Sequence, residues 1–355
     1  MKSWLHPEFK LNGKSFVSVD ILRRYAHNLS KKGIGDEIAI GNFIYEWLND
    51  KDFIQVKTSG STGTPKQIDL KKEQVFNSAS ATVNYFNLKE GTKALLCLSS
   101  EYIAGKMMLV RAMTAGWDLY TTSPEKKPLE ISDEVFDFAA MVPYQVFHSL
   151  SDFHKVKKLI VGGGAVSWDL EEKLQGLNTE VFATYGMTET ISHIAVRPLN
   201  GPERSPIFVA LPEISFLQTE AGCLQISAPA IADDFVTTND VVELVSPTSF
   251  KFLGRIDNVI NTGGIKVHPE LIEGKLSPHL KLPFFIASEE NAALGEQIVL
   301  IVESEQQLPL EDFSKIFEFL SSYERPKRIL STPHFAYTET AKIKRGEVLR
   351  KLFGH

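Results

Sequence analysis

Short apolar runs alternate with longer apolar segments along the first part of the chain. The runs have the length of buried strands and the longer segments have the length of helices. Strands are predicted at 93–99, 117–121, 138–142, 158–161 and 180–183, and helices at 105–115 and 144–150. Because strands that alternate with helices pair through crossover connections, this part is predicted to be an α/β fold with parallel strands.

After about Ala210 the pattern changes to closely spaced short strands, which is typical of an antiparallel meander. These strands are predicted at 213–218, 222–226, 240–244 and 250–252. Beyond Asp257 the chain shows two helix patterns, at 269–276 and 310–321, and two strand patterns, at 284–287 and 297–302. We therefore predict two domains. The first, 1–256, has mixed and parallel sheets with helices and a small antiparallel part, and the second, 257–355, is a small α+β domain.

Length and composition agree with two globular domains. The chain has 355 residues, of which 43% are hydrophobic and 23% charged, so disorder as the main state is excluded. There are 38 Lys and Arg residues against 44 Asp and Glu residues, a net charge of −6. A general nucleic-acid binder, which would carry a basic excess, is therefore disfavoured.

The cysteines and the N-terminus bear on the compartment. Cys97 and Cys223 are far apart in apolar surroundings, which supports neither a disulfide framework nor a cysteine metal site. Near the start, His6, Pro7 and Glu8 interrupt the apolar run that a signal peptide needs. No apolar run approaches the ~20 residues that span a bilayer. We expect a soluble cytoplasmic protein without a membrane span.

A loop rich in glycine and hydroxyl side chains runs from Lys57 to Lys66. Its glycines permit tight turns, its amides and hydroxyls donate hydrogen bonds, and its closing lysine adds charge, so the loop can wrap a phosphate. The spacing differs from a Walker loop, since no G-K-[ST] follows. A flexible polar loop is the ordinary alternative.

A second polar segment, Thr184–Thr190, follows the predicted strand at 180–183. Ligands of open α/β sheets bind at the carboxyl ends of strands. Tyr185 can stack on a base, Thr188 can donate to a phosphate, and Glu189 can hold Mg²⁺ through oxygen. The alternative is a polar turn with a packed tyrosine.

Two further segments are unremarkable when each is taken alone. Gly254–Glu273 predicts an interdomain hairpin with a Gly263–Gly264 turn, followed by a helix that begins at Pro269. Thr338–Arg345 is typical of a solvated basic tail. What changes the interpretation is that all the segments occur together, in a fixed order.

That order and the approximate spacing resemble the adenylate-forming superfamily of acyl-CoA ligases, nonribosomal-peptide adenylation domains and luciferases. The family patterns T-S-G-S-T-G-x-P-K, Y-G-x-T-E, T-G-D, G-R-x-D and T-x-S-G-K match segments beginning at residues 58, 185, 238, 254 and 338. The resemblance covers residues 57–345. It implies an enzyme that uses ATP, Mg²⁺ and CoA to activate a small carboxylic acid.

The resemblance also implies roles for the matched residues. The β- and γ-phosphates would be bound by Thr58, Ser59, Gly60, Ser61, Thr62, Gly63 and Lys66. The adenine slot would be formed by Gly162, Gly163, Gly164, Ala165, Tyr185 and Gly186. Asp240 and Arg255 would hold the ribose hydroxyls. Thr188 would contact the α-phosphate, and Glu189 would bind Mg²⁺. Lys342 would bridge the acid and the α-phosphate, stabilising the charge that develops there.

In this family the small domain is mobile. Asp257 would be the hinge on which it turns after adenylation, which would withdraw Lys342 and present another face to the site. That face would include Gly263 and Gly264, with Lys266 close by in sequence, and would line the pantetheine tunnel of CoA. The CoA thiol would then attack the acyl-adenylate.

Three departures from the family pattern are visible. Asn239 replaces the glycine of T-G-D, which is accommodated if the backbone there is left-handed. Ala341 replaces the glycine before Lys342. The phosphate loop begins near residue 57, whereas most relatives carry a much longer leading region. A homodimer is one way to cover the surface that this leaves open.

Two segments indicate which acid is activated. Residues 185–193 and 100–106 are similar to those of the o-succinylbenzoate-CoA ligases of menaquinone biosynthesis. That acid has a second carboxylate, so a cation or a set of polar donors is expected. The candidates are Lys106, Arg111, Ser192 and His193. Tyr102 and Met187 are expected to shape an apolar wall for the ring. As alternatives, Lys106 is an exposed helix lysine and His193 a structural histidine.

Three functions remain open from the sequence. The first is this ligase or another aryl- or acyl-CoA ligase. The second is an adenylating enzyme that loads an acyl group onto a carrier protein, which CoA dependence would distinguish. The third is a nucleotide-binding protein without catalysis, and the presence of Lys342 and Glu189 argues against it.

Overall fold

The computed structural model describes residues 4–57, 67–130, 133–337 and 343–354, apart from the side chain of Lys57. Its α-helices are α1 (Val19–Lys32), α2 (Asp36–Trp47), α3 (Lys72–Tyr85), α4 (Ile103–Ala115), α5 (Pro143–His148), α6 (Trp168–Lys173), α7 (Pro269–Leu276) and α8 (Arg345–Phe353). Within these ranges no helix has both the length and the apolar character needed to cross a membrane.

The strands fall into three sheets. They are β1 (Lys10–Leu11), β2 (Lys14–Ser15), β3 (Phe53–Lys57), β4 (Gln67–Lys71), β5 (Lys93–Leu96), β6 (Asp118–Thr121), β7 (Phe136–Met141), β8 (Val156–Val161), β9 (Glu180–Gly186), β10 (His193–Pro198), β11 (Ile207–Ala210), β12 (Ser215–Gln218), β13 (Cys223–Ser227), β14 (Val236–Ser246), β15 (Ser249–Arg255), β16 (Ile260–Thr262), β17 (Ile265–Val267), β18 (Phe284–Asn291), β19 (Gly295–Glu303) and β20 (Arg328–Thr332).

Thirteen strands form the largest sheet, in the order β12-β13-β14-β15-β11-β10-β9-β8-β7-β5-β6-β1-β2. The pairs among β5 to β9 are parallel, which confirms the prediction from their alternation with helices. The predicted meander is also present as β12 to β15, all antiparallel. It is continuous with the parallel part through β10 and β11, so both parts can contribute to one site.

Both faces of the parallel strands are buried, which explains their uninterrupted apolar runs. Side chains alternate across a sheet, so Leu96 and Ile160 face one core, shared with α1 to α4. Leu95 and Leu159 face a second core, shared with α5 and α6. The large part is therefore a three-layer α/β unit. Its two cysteines, Cys97 and Cys223, are free and buried.

The region before β3 packs on the α4 side of this sheet. Trp47, at the end of α2, is fully buried in the first core. The ring of Trp4 lies 5.3 Å from the ring of Trp47, whose Nε1 donates to the Trp4 carbonyl at 3.1 Å. The β1–β2 hairpin turns through Asn12 and Gly13, both with positive φ, and adds to the sheet edge.

A smaller sheet of five strands, β16 to β20, lies between two further cores. Leu300 packs in one core with Ile272 of α7, and Val299 packs in the other with Val348 of α8. The change from the large sheet to the small one falls between β15 and β16, beside Asp257. The domain division and the hinge role of Asp257 stay predictions.

One predicted helix, at 310–321, is wrong. Two 3₁₀ turns, Leu310–Phe313 and Ile316–Phe319, take its place. The Ser314 hydroxyl donates to the Glu311 carbonyl at 2.8 Å, and such side-chain bonds compete with helical backbone bonds. The two turns still bury Phe313 and Phe317, which satisfies the apolar pattern without an α-helix.

Candidate active site

The loop after β8 and the end of β9 meet at the carboxyl edge of the parallel strands. Gly163 has a φ of +75°, a conformation that favours glycine. A Cβ at Gly162 would lie 2.6 Å from Thr184 Oγ1, so the two segments approach closely. The loop 162–165, which includes the predicted adenine residues Gly164 and Ala165, is thus held against the strand that carries Tyr185.

Tyr185 is fixed by its ring and by its hydroxyl. Its ring packs against Phe250 and Phe208, at centroid distances of 5.0 and 5.8 Å. Its hydroxyl donates to Asp240 Oδ2 at 2.5 Å. Burial first, and the Asp240 charge second, raise the pKa of Tyr185 far above its ordinary value. Tyr185 therefore stays a neutral donor that orients the Asp240 carboxylate.

Two more side chains, Arg255 and Asn239, extend this network to Asp257. Arg255 Nε lies 4.0 Å from Asp240 Oδ1, and Arg255 Nη2 lies 3.4 Å from Asp257 Oδ2. Asn239 also donates to Asp257 Oδ2, at 3.2 Å. Asn239 lies inside β14 without a positive φ, so the left-handed backbone considered for it is not present. A strand conformation suits asparagine there because its amide reaches Asp257.

A tight turn follows β9 and carries Thr188 and Glu189. The turn is a 3₁₀ segment, Thr188–Thr190, and it ends at Ile191, whose φ is +64°. That φ is strained for a β-branched residue, and such strain concentrates at functional sites. A Cβ at Gly186 would lie 2.3 Å from the Ser192 carbonyl, so the turn closes directly onto the strand end.

Glu189 has the chemistry expected of a Mg²⁺ ligand. Its side chain is exposed, and its carboxylate accepts no hydrogen bond from any described side chain or backbone group. Across the described residues no cluster of three His, Cys, Asp or Glu side chains is placed to hold a metal. Mg²⁺ commonly uses one or two carboxylates and completes its shell with substrate phosphates, so a single carboxylate fits it.

A buried polar layer lies beside this turn, between α3, α4 and β10. Arg111 Nη2 donates to Ser192 Oγ at 3.2 Å, and Ser192 Oγ lies 3.0 Å from Ser78 Oγ. His193 Nε2 lies 3.3 Å from Thr82 Oγ1. The layer unites the predicted residues Ser192 and His193 with two α3 hydroxyls.

Arg111 is a buried cation without a counter-ion in the described part of the chain. Its side chain is 2% exposed, and no described carboxylate lies within ion-pair distance. Its Nε has no hydrogen-bond partner among the described atoms. Burial lowers the pKa of Arg111 to about 9. Burial and then the Arg111 charge lower the pKa of His193, so this histidine is neutral at pH 7.

Lys106 faces away from that layer. It lies five residues before Arg111 on α4, which separates the two side chains by about 140° around the helix. Lys106 Nζ donates to the Gln55 carbonyl at 2.6 Å and lies 3.6 Å from Glu46 Oε2. It lines a cavity of about 380 Å³ between α2 and the loop after β5. The structure does not bring Lys106 to Ser192 and His193.

The remaining predicted substrate residues lie at two places. Tyr102 precedes α4 and is half exposed. Met187 lies in the turn after β9, where its N–H donates to Thr190 Oγ1 at 3.0 Å. Their roles as an apolar wall stay predictions.

The predicted CoA residues form the tip of a hairpin in the small sheet. Gly263 and Gly264 both have positive φ, at +57° and +81°, and they link β16 to β17. Two such residues make the type I′ turn that tight hairpins favour. The adjacent Lys266 is exposed. The hairpin anticipated from the sequence is therefore present, while CoA binding there stays a prediction.

Two groups of predicted residues lie outside the described residues. Thr58, Ser59, Gly60, Ser61, Thr62, Gly63 and Lys66 belong to the undescribed segment 58–66, and Lys342 to the segment 338–342. Their predicted roles rest on the sequence. Around the first segment, the structure describes β3 and β4, which pair as an antiparallel hairpin.

Ser78 and Thr82 were not predicted as site residues from the sequence. They lie four residues apart on α3, among the buried residues Val75 and Ala79. Hydroxyl side chains at this spacing on the apolar face of a helix indicate a buried polar contact, and that signal was available.

Comparison with known proteins identifies the class. A family model described as AMP-binding enzyme matches residues 54–215. A crystal structure from Dyadobacter fermentans, described as an acyl-CoA synthetase (AMP-forming)/AMP-acid ligase II-like protein, is 36% identical. That match covers 93% of this chain and 98% of the other, with a TM-score of 0.63. The chain belongs to this family of AMP-binding enzymes, the AMP-forming acyl-CoA synthetases.

More distant matches carry more specific names. The 2-succinylbenzoate–CoA ligase of Escherichia coli is 25% identical over 78% of this chain and 64% of that enzyme. The chain thus spans about two thirds of the length of that relative. The o-succinylbenzoate-CoA synthetase of Bacillus subtilis, solved with its acyl-adenylate intermediate, has a TM-score of 0.71 at 18% identity. The match covers 83% of this chain and 68% of the Bacillus subtilis chain. At 18% identity it shows that the two share a fold.

Proposed function

We propose that the chain is an acid-CoA ligase that acts on o-succinylbenzoate through an acyl-adenylate. In the first step a carboxylate oxygen attacks the α-phosphorus of ATP, and pyrophosphate leaves. In the second step the thiol of CoA attacks the acyl carbonyl, loses its proton, and AMP leaves. Relatives named for this activity support the acid, and family membership supports the chemistry.

The observation that carries the choice of acid is the buried guanidinium of Arg111. An unpaired charge is unfavourable in a protein interior, and an anion that binds there removes the penalty. A planar guanidinium matches a carboxylate, with which it forms two parallel hydrogen bonds. The acid has two carboxylates, so one can react while the other supplies the counter-ion that the described residues do not give Arg111.

The neighbours of Arg111 suit the same group. Ser192 and Ser78 place two hydroxyls beside the guanidinium, and each can donate to a carboxylate oxygen. A neutral His193 adds no second positive charge. We therefore assign the second carboxylate to Arg111 and Ser192. Lys106 is bound by the Gln55 carbonyl and Glu46 on another face of α4.

The nucleotide end of the site is assigned to the Tyr185–Asp240–Arg255 network. A carboxylate accepts hydrogen bonds from two ribose hydroxyls, and the Tyr185 hydroxyl fixes its orientation in advance. The glycine loop 162–165 supplies a flat backbone approach for the base. Glu189 is assigned to Mg²⁺, which when bound offsets phosphate charge.

Charge neutralisation at the reacting phosphate is assigned to Lys66 and Lys342. An anionic acid and a polyphosphate repel each other, so cations are needed where they meet. These assignments rest on the matched motifs. CoA is assigned to the Gly263–Gly264 turn, where the absence of side chains permits close approach of an extended arm.

Pyrophosphate release tests the proposal. The full chain is incubated with ATP, Mg²⁺ and o-succinylbenzoate, in parallel with a panel of benzoates and fatty acids, each with and without CoA. The expected result is preferential turnover of o-succinylbenzoate that CoA carries through to AMP and the thioester. Turnover of another acid would retain the ligase and overturn the choice of acid.

Two further outcomes bear on the class. In one outcome the acyl-adenylate forms but is not transferred to CoA, and it is transferred to a phosphopantetheine carrier protein. The acyl acceptor would then be a carrier protein and not CoA. ATP binding without turnover of any acid would overturn the ligase. Arg328→Ala is the control for the loss of one positive charge, because its guanidinium pairs with Glu289 at 3.0 Å between strands of the small sheet and no described site residue contacts it.

A further inference from the structure

The cavity between α2 and the loop after β5 lies apart from the Arg111 layer. Its wall includes Lys106, whose side chain points about 140° away from Arg111 around α4. Every residue that lines it belongs to the described part of the chain. Its volume of about 380 Å³ is within the range of about 300–1,000 Å³ that small-molecule sites span. The cavity is therefore large enough for a ligand of its own.

Two side chains of the cavity wall have a polar atom without a hydrogen-bond partner among the described atoms. Ser100, in the loop after β5, is 1% exposed, and its Oγ is one of these atoms. The other is Oδ2 of Asp36, the first residue of α2. A buried polar atom without a partner is unfavourable. A ligand with hydrogen-bond donors would remove this penalty at both atoms.

The charge on the cavity wall is negative. Asp36, Glu46 and Glu101 supply three carboxylates, and Lys106 is the one basic side chain among the described residues that line the cavity. Lys106 Nζ lies 3.6 Å from Glu46 and offsets that charge. Burial first, and the Glu101 charge as a smaller cause, raise the pKa of Asp36. A cation bound beside Asp36 would therefore be attracted, whereas an anion would be repelled.

The shape and chemistry of the wall favour an organic cation over a metal ion. Across the described residues no group of three His, Cys, Asp or Glu side chains is placed to hold a metal. Ile38 and Ala39 of α2 add apolar surface beside the carboxylates. A primary ammonium has three N–H donors and no acceptor, which matches acceptor atoms that lack donors. We propose that this cavity binds a small organic ammonium ion, through Asp36 and Ser100.

Helix stability alone does not explain Asp36. A carboxylate in the first turn of a helix stabilises the helix through its charge. The adjacent Glu37 can do this in the same turn, and its Oε2 accepts a hydrogen bond from the Ile34 N–H at 3.0 Å. Asp36 instead has a buried Oδ2 without a described donor. Glu37 does not line the cavity, so it is the matched control for Asp36.

The inference goes beyond the proposed function and does not depend on it. ATP, the acid and CoA are assigned to other residues. Amine binding and ligase turnover can therefore each be present without the other.

Calorimetric titration of the full chain with benzylamine and butylamine tests the inference, at neutral pH, where both amines are protonated. Benzyl alcohol and butanol keep the apolar group without the charge, and tetramethylammonium keeps the charge without N–H donors. We expect saturable binding of the amines at one site per chain, and binding of the three control compounds that is about tenfold weaker or worse. The midpoint of thermal unfolding should rise with amine concentration.

Four variants locate the binding. Asp36→Asn should weaken amine binding about tenfold or more, and Ser100→Ala about fivefold. Glu37→Gln should keep the wild-type Kd. Ser149→Ala should keep it too, because Ser149 is also 1% exposed, with an Oγ that has no described partner, but does not line the cavity.

Several results would overturn the inference. They are the absence of saturable amine binding up to millimolar concentrations, an equal loss in Asp36→Asn and Glu37→Gln, and tetramethylammonium binding as tight as that of the amines. Competitive displacement by ATP or o-succinylbenzoate would place the amine in the adenylation site and overturn it as well. If Asp36→Asn fails to fold, Ser100→Ala against Ser149→Ala still decides. Amine binding by a protein that turns over no acid would reject the proposed function and keep this inference.

Discussion

The Tyr185 hydroxyl joins Asp240 across 2.5 Å, so a side chain from a parallel strand fixes a carboxylate from the antiparallel meander. Tyr185→Phe removes that bond and leaves the ring contacts in place. A hydrogen bond to a charged group contributes roughly 1.5–3 kcal/mol, so we expect ATP to bind about tenfold more weakly or worse. Calorimetric titration measures this, with the half-exposed Tyr144→Phe as control. Equal ATP affinity in both variants would contradict the assignment.

Arg111→Met should separate function from stability. Replacing a buried charge that pairs with no described carboxylate by an apolar side chain removes its desolvation penalty, so the free energy of unfolding should stay equal or rise by about 1–3 kcal/mol. KM for o-succinylbenzoate should rise about a hundredfold, while KM for benzoate-like monoacids changes little. Steady-state kinetics and denaturant unfolding measure the two effects.

Lys106→Ala provides the comparison for Arg111. If the second carboxylate binds at Arg111, KM for the dicarboxylate should change by less than about threefold in this variant. Stability should fall, because Glu46 and the Gln55 carbonyl lose their shared partner. A large rise in KM for the dicarboxylate alone would show that the second carboxylate binds at Lys106 and not at Arg111.

Gly186→Ala should disrupt the turn that carries Thr188 and Glu189. The added Cβ would lie 2.3 Å from the Ser192 carbonyl and 2.5 Å from His193 Cα, so backbone has to move. We expect a loss of about 1–3 kcal/mol in the free energy of unfolding and a loss of ATP–pyrophosphate exchange activity. Gly274→Ala, on α7 with open space around the new Cβ, should gain about 0.5–1 kcal/mol. Urea unfolding of both variants checks the pair.

The pH dependence of stability should contain a contribution from Glu273. Burial, the largest cause, raises its pKa from an ordinary 4.5 to about 7, against the opposing effect of Arg345. Glu270 on the same helix adds a smaller effect in the raising direction. Between these two pH values the native state holds a proton that the unfolded state has released. The free energy of unfolding should therefore fall as pH rises through this window.

Glu273→Gln is the measurement for that contribution. The wild-type curve of unfolding free energy against pH should slope downward more steeply than the variant curve between about pH 4.5 and pH 7. Parallel curves would show that the Glu273 carboxyl has the same pKa in the folded and unfolded states.

The sequence predicts the large sheet well because its periodicities report burial directly. Strands such as β7 and β8 carry apolar side chains on both faces. This pattern is typical of a parallel sheet that is covered on both faces. The helix Pro269–Leu276 was predicted with its observed bounds, since proline starts it. The prediction of a helix at 310–321 was wrong because the Ser314 hydroxyl bonds to a nearby backbone carbonyl, and such bonds compete with helical backbone bonds.

The candidate site was predictable as a set of motifs and less so as a set of contacts. Tyr185 and Asp240 were each named, but their hydrogen bond joins residues 55 positions apart. Arg111 and Lys106 have similar chemistry on one helix, and only the packing of α4 shows which of them has no carboxylate beside it among the residues that the structure describes. The spacing of Ser78 and Thr82 on α3 indicates a buried polar contact, but it does not specify Ser192 and His193 as the partners.

If the proposed acid binds at Arg111, which pairs with no carboxylate of the described residues, the stability of the protein depends on the supply of that acid. A ligand that binds only the native state raises the free energy of unfolding with the logarithm of its concentration above Kd. Differences of 1–2 kcal/mol change the amount of protein that escapes cellular proteolysis by several-fold. The acid would thus act as a folding ligand as well as a substrate, and cells short of it would hold less enzyme.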